Sequence, residues 1–224
     1  MVKRLFFLPS VEEQIKNIQR DLHLNMNGVV SGNMTDAGLG YKVIYGTQWP
    51  ELKKIASKYP QNANLAECLW KMDVRETKIL ATLLYPVEEF TEQRAEMWIE
   101  TLTTEEMAAF LAMNLLSKTP CAQRKMSDWA ISENKMTRVL AYNLLLHLSD
   151  KMDECGRLAV SKKIMSTLVD ERCDDTKGQL LMTLKKLGIR HEGLAESVLE
   201  EMKRLSVPGE IREDYANCLN FYCD

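Results

Sequence analysis

From Ser10 onward, apolar residues return at helical intervals and strand-like alternation is nearly absent. Val11, Ile15, Ile18 and Leu22 follow one another at steps of four, three and four, so they form one stripe on a helix predicted from Val11 to Asn25. Ahead of it, Ser10-Val11-Glu12-Glu13 reads as a capping box, in which the Ser hydroxyl takes a free N–H and Glu13 reaches back to the cap. The same cap-plus-acid spacing occurs at Asp73 with Glu76 and at Thr103 with Glu106. Asn27 to Gly40, rich in Gly, Asn and Asp, reads as a loop or a broken short helix. Pro50 to Tyr59 then places Leu52, Ile55, Ala56 and Tyr59 on one face, with Lys53, Lys54 and Lys58 mostly off it.

Further helices are predicted at Asn64 to Met72, Val74 to Leu84, Thr91 to Thr101, Thr104 to Ser117, Cys121 to Ala130 and Glu133 to Ser149. The last four are Glu154 to Asp170, Asp175 to Leu187, Glu192 to Leu205 and Pro208 to Phe221. Helices of this length with short connections predict an all-α, HEAT/ARM-like helical-repeat solenoid of antiparallel pairs, about five or six units near a 40-residue period. No clean sequence repeat is visible, and no linker breaks the chain, so residues 1–224 are expected to form a single domain.

At 224 residues, with 46% hydrophobic and 27% charged residues, the chain can bury a sizeable core. A formal charge of −3 and a pI near 5.8 exclude a uniformly basic nucleic-acid binder but allow a local basic patch. The six cysteines show no C-x-x-C spacing and read as small buried hydrophobes in a reducing compartment. His23, His147 and His191 lie too far apart for a helical ligand pair, so no metal is expected. The absence of Walker, G-x-S-x-G, H-E-x-x-H and G-x-G-x-x-G motifs gives no reason to expect a cofactor. Pro9 cuts short the basic and apolar start MVKRLFFLP before a signal-peptide core is complete. No run approaches the roughly 18 apolar residues of a membrane span, and a cytoplasmic monomer without membrane contact is expected. Trp70, Trp98 and Trp129 read as core wedges, Trp49 as a partly exposed indole, and the 13 methionines as mainly core.

The stretch from Trp98 to Leu116 carries Trp98, Glu105, Glu106, Met107, Ala109, Asn114 and Leu115 at a distinctive spacing. It resembles the catalytic helix of the HEAT-repeat DNA alkylation repair enzymes, the AlkD-like alkylpurine DNA glycosylases. Tyr45-Gly46-Thr47 with Trp49-Pro50-Glu51-Leu52, Leu69-Trp70 with Arg75-Glu76 and Ile79-Leu80-Ala81, and Leu184-Lys185-Lys186-Leu187-Gly188 are similar to further motifs of that family. The likeness runs from about Tyr41 to Gly188.

The resemblance implies excision of positively charged N3- or N7-alkylated purines, with an Asp that stabilises charge on the deoxyribose as the base leaves. Here that Asp reads Ala109, the family's first Asp reads Glu106, and its two lesion-contacting tryptophans read Glu105 and Met182. Glu105 and Glu106 lie about one turn before Ala109 and are the candidate replacements, although the first-turn pattern at Thr103 favours capping for Glu106. An Arg pair that contacts DNA backbone in the family leaves Arg138 as its counterpart.

Basic pairs recur at Lys53-Lys54, Arg124-Lys125, Lys162-Lys163, Lys185-Lys186 and Lys203-Arg204. They read either as a phosphate track for duplex DNA along a solenoid or as solvated helix faces that complement helix dipoles. Three functions follow: a DNA-binding family member with a lost or altered glycosylase centre, an active glycosylase using Glu106 or Glu105, and a scaffold whose concave face holds a protein partner.

Overall fold

The computed structural model describes residues 9–223, without the side chains of 192 and 220–223. The basic and apolar run before Pro9 and the Cys223 side chain therefore lie outside the described residues. Thirteen α-helices and no strand occur among those described, apart from one isolated bridge between Val43 and Val74. The chain divides into two compact units, one ending at Phe90 and the other beginning at Thr91.

The first unit contains α1 (Val11–Leu24), α2 (Gly28–Asp36), α3 (Trp49–Ala56), α4 (Ala63–Lys71) and α5 (Arg75–Leu84). Ser10 caps α1 by accepting the Glu13 N–H at 3.2 Å. The Asn27 to Gly40 segment is resolved in favour of a short helix, α2, which Asn27 caps and which buries none of its residues. The core lies where α4 and α5 pack through Leu65, Leu69, Ile79, Leu80 and Leu84.

The expected capping box at Asp73 and Glu76 does not form. Val74 precedes α5 without a side-chain cap, and Glu76 is fully buried. Its carboxylate accepts the Tyr45 and Gly46 N–H groups at 3.0 and 2.9 Å and the Arg75 guanidinium at 3.0 Å. A charge this deep requires such partners, and the segment before α3 supplies them.

The second unit contains α6 (Glu92–Glu100), α7 (Glu105–Asn114), α8 (Pro120–Trp129), α9 (Lys135–Leu148), α10 (Glu154–Met165), α11 (Lys177–Arg190), α12 (Glu192–Arg204) and α13 (Gly209–Cys223). Helices α7, α9, α11 and α13 pack successively as one layer. Helices α8, α10 and α12 form the other, to which α6 is joined by ion pairs with α8. The α9 helix is central and buries Val139, Leu140, Tyr142, Leu144 and Leu145, each large side chain contributing roughly 1.5–3 kcal/mol. Trp70, Trp98 and Trp129 are buried as expected.

Two residue classes depart from expectation. Met107, Met126, Met165 and Met202 are buried, whereas Met26, Met97 and Met182 are exposed. Cys121 and Cys173 are buried, but Cys68 and Cys155 lie at the surface. A flexible thioether and a small thiol cost little when hydrated, so hydrophobicity alone does not place them.

Candidate nucleic-acid interface

The Thr104 hydroxyl accepts the Met107 N–H at 3.2 Å, so Thr104, not Thr103, caps α7. Glu105 and Glu106 are consequently the first two helical residues, where carboxylates complement the helix dipole. Glu105 pairs with Lys135 at 3.1 Å and accepts the Gln179 amide at 2.6 Å.

Glu105, Lys135 and Gln179 all belong to first turns, so their contact means that α7, α9 and α11 start level and run in one direction. Both α7 and α11 pack on α9. Glu105 and Gln179 therefore meet over the first turn of α9, at one end of the face that α7, α9 and α11 share. Glu105, Ala109 and Met113 follow at steps of four along α7, and Gln179, Met182 and Lys186 at steps of three and four along α11. Met182 is 59% exposed. Ala109 and Met113 of α7 and Met136 and Asn143 of α9 are half-buried.

This arrangement puts a methyl group at Ala109, where the resemblance implies a carboxylate, and neutralises Glu105 with a cation. Glu106 is half-buried in the same first turn. Lys135 and Gln179 escaped the sequence reading because they lie 30 and 74 residues beyond Glu105. One signal was present: Lys135 directly follows the cap Asn134, and a cation in a first turn opposes the dipole unless an anion compensates it.

The basic pairs do not fall in one row. Lys53 and Lys54 belong to the first unit, where Lys53 lies 5.8 Å from the Trp49 ring and Lys54 pairs with Glu51 at 2.7 Å. Arg124 and Lys125 reach Glu92 at 3.4 and 3.0 Å, and Lys125 also reaches Glu96 at 3.2 Å. Lys163 pairs with Asp128 at 2.8 Å, Lys185 with Asp214 at 2.7 Å, and Arg204 with Glu201. The Lys125 hydrogen bond holds the Glu92 carboxyl below its ordinary range, as Lys163 does for Asp128. Lys162, Lys186 and Lys203 remain exposed. Within the second unit, the pairs of α8 and α10 lie on one layer and that of α11 on the other. Ion pairs this exposed are worth about 0–1 kcal/mol, so a phosphate can displace them at small cost.

Arg138 has a structural placement. It is 1% exposed, and its guanidinium donates to the Ser132 and Glu133 carbonyls at 2.8 and 2.9 Å, to Thr176 at 3.0 Å and to Asp175 at 2.6 Å. It ties the approach to α9 to the start of α11 and presents little charge to solvent.

Among the described residues, no group of three or more His, Cys, Asp or Glu side chains is arranged to hold a metal ion, and no helix is long and apolar enough to cross a membrane. No curated protein matches the sequence. One solved structure superposes with a TM-score of 0.71 at 18% identity, covering 85% of this chain and 82% of its own. It is described as a member of a new family of proteins related to the HEAT-like repeat DNA glycosylases, with affinity for branched DNA structures. That similarity establishes the fold as an all-α, HEAT-like helical repeat. The family model for DNA alkylation repair enzymes matches residues 18–213, and the chain belongs to that family.

Proposed function

We propose that this protein binds DNA through the face built by α7, α9 and α11, and that its glycosylase centre has been lost. The observation that carries this reading is the start of α7, with Ala109 one turn beyond a Glu105 that is paired with the Lys135 cation and accepts the neutral Gln179 amide. Stabilising an oxocarbenium-like sugar requires a fixed negative group nearby, often worth about 3 kcal/mol or a hundredfold in rate. Neither the methyl group nor the neutralised pair supplies it. Met182, exposed on α11, offers no π face to a cationic base. The uninterrupted family match through Phe90 and Thr91 supports treating both compact units as one functional domain. The branched-DNA affinity of the structural neighbour supports branched DNA as a ligand alongside duplex.

The test combines binding and excision. Fluorescence anisotropy against duplex and three-way-junction DNA should give affinities that fall steeply with salt, since neutralising each phosphate releases about one counterion. Replacing Lys185 and Lys186 of α11 with Ala should flatten that slope, whereas replacing Lys162 and Lys163 of α10, on the other layer, should leave it unchanged. Alkylated DNA should release little or no N3-methyladenine or N7-methylguanine. Absence of binding at low salt would favour a protein-interaction scaffold. Robust excision abolished by Glu106→Gln or Glu105→Gln would establish an active glycosylase instead.

A further inference from the structure

We infer that the cavity between α6, the end of α8 and the start of α9 holds an arginine side chain presented by a partner protein. It lies within the second unit, and none of its lining residues takes part in the DNA-binding reading above.

The first reason is charge. The cavity measures about 260 Å³, room for a guanidinium and part of its stem, and Glu96, Ile99 and Glu100 line it from one face of α6. No cation is among the described residues that line it. Glu100 is exposed and makes no ion pair among the described residues. Glu96 shares a single ammonium with Glu92, since Lys125 reaches the two carboxylates at 3.2 and 3.0 Å. An exposed pair of this kind is worth about 0–1 kcal/mol and yields readily to a competing cation. Such a lining attracts a cation and turns a phosphate away.

The second reason is a pair of unused polar groups. Trp129 and Thr137 line the same cavity and are each 7% exposed. The Thr137 main-chain N–H is taken by Asn134, but its hydroxyl and the Trp129 indole N–H have no hydrogen-bond partner among the described residues. Other buried threonines differ: the Thr82, Thr119 and Thr167 hydroxyls each donate to the carbonyl three residues back. Polar groups this deep normally find partners. A bare metal ion or a simple amine carries no acceptor for the indole N–H. A peptide carries both parts, a main-chain carbonyl for the indole and a cation for the carboxylates. Among cationic side chains, the planar guanidinium offers the most donors to two carboxylates one turn apart, and Ile99 can cover its apolar stem.

The experiment titrates the full chain, isotope-labelled in its tryptophans, with acetyl-Gly-Gly-Arg-Gly-Gly-amide and with the same peptide carrying Gln in place of Arg. Nuclear magnetic resonance follows the Trp129 indole N–H signal, assigned through Trp129→Phe. The Arg peptide should move that signal saturably, and the Gln peptide should not. Glu100→Gln, a surface change, should weaken binding about two- to fivefold, the range of an exposed ion pair. Thr137→Val, which keeps the side-chain shape, should also weaken it, with circular dichroism confirming the fold. Glu210→Gln on α13 should change nothing. No response to the Arg peptide, equal responses to the two peptides, or affinity that survives Glu96→Gln combined with Glu100→Gln would overturn the inference. Displacement of the peptide by duplex DNA at low salt would overturn it as well and give the cavity to nucleic acid.

Discussion

Arg138→Ala separates a structural role from a phosphate contact. The substitution leaves the Ser132 and Glu133 carbonyls and the Thr176 hydroxyl without their donor, in a place where the arginine is 1% exposed. The orphaned Thr176 hydroxyl is buried and costs about 1–3 kcal/mol, while the two part-buried carbonyls, which water can reach, cost less. The Asp175 contact adds less, because that carboxylate is 49% exposed and can turn to water. With the packing of the buried arginine stem included, the loss should be about 2–4 kcal/mol. Asp175→Asn, which keeps an oxygen beside the guanidinium, should cost about 1 kcal/mol. Urea unfolding followed by circular dichroism measures both, provided the slope of free energy against denaturant stays constant across the variants. In conditions where Arg138→Ala remains folded, its DNA affinity should show the wild-type salt slope. A stability loss under about 1 kcal/mol with a salt slope shallower by about one would refute this reasoning and make Arg138 a phosphate ligand.

Two other predictions concern stability. A Cβ at Gly188 would lie 2.5 Å from the Tyr215 hydroxyl oxygen and 2.9 Å from Leu219, so Gly188→Ala should destabilise by about 1–3 kcal/mol. That hydroxyl is buried without a partner, so Tyr215→Phe alone should be neutral or stabilising and should recover part of the Gly188→Ala loss in the double variant. Burial, followed by nearby arginines, holds the His147 and His191 imidazoles below their ordinary pKa. The unfolded chain then binds protons first as pH falls, so this contribution is fully present above about pH 6.5 and is lost as pH falls through the lower folded values. Thermal melts from pH 7.5 to 5 should show the decline, and His147→Asn with His191→Asn should flatten it; an unchanged profile in the double variant would place its source elsewhere.

Local patterning carried much of the fold. The stripe of α1 and the cap at Ser10 were legible because they depend only on neighbours within a turn or two. Glu76 and Thr104 mark where that reading failed. An acid three residues after Asp73 looks like a capping partner, yet Glu76 turns inward to amides some 30 residues earlier. Two adjacent threonines make Thr103 and Thr104 equally plausible caps, and only the geometry of the helix start selects one. At the site, Ala109 was readable by spacing, while the neutralisation of Glu105 depends on which helices become neighbours. Arg138 shows the same limit, since a basic residue in sequence carries no mark of whether its charge will face phosphate or main-chain carbonyls.

The clamp at Glu76 has a kinetic meaning. Because α2 buries no side chain, its attachment runs through Ser31, which donates to the Ile44 carbonyl at 2.6 Å, and through the Asn27 amide on the Tyr45 carbonyl at 2.9 Å. Gly46 sits at φ 70°, with Asn27 and Ser31 backbone atoms where a Cβ would fall, so the two segments interlock. The helix and the strand-like stretch before α3 should therefore open together, as one cooperative unit hinged on a single carboxylate. In heavy water the amides of Ser31, Tyr45 and Gly46 should exchange in step, on a clock set by the release of Glu76 rather than by fraying of the helix ends.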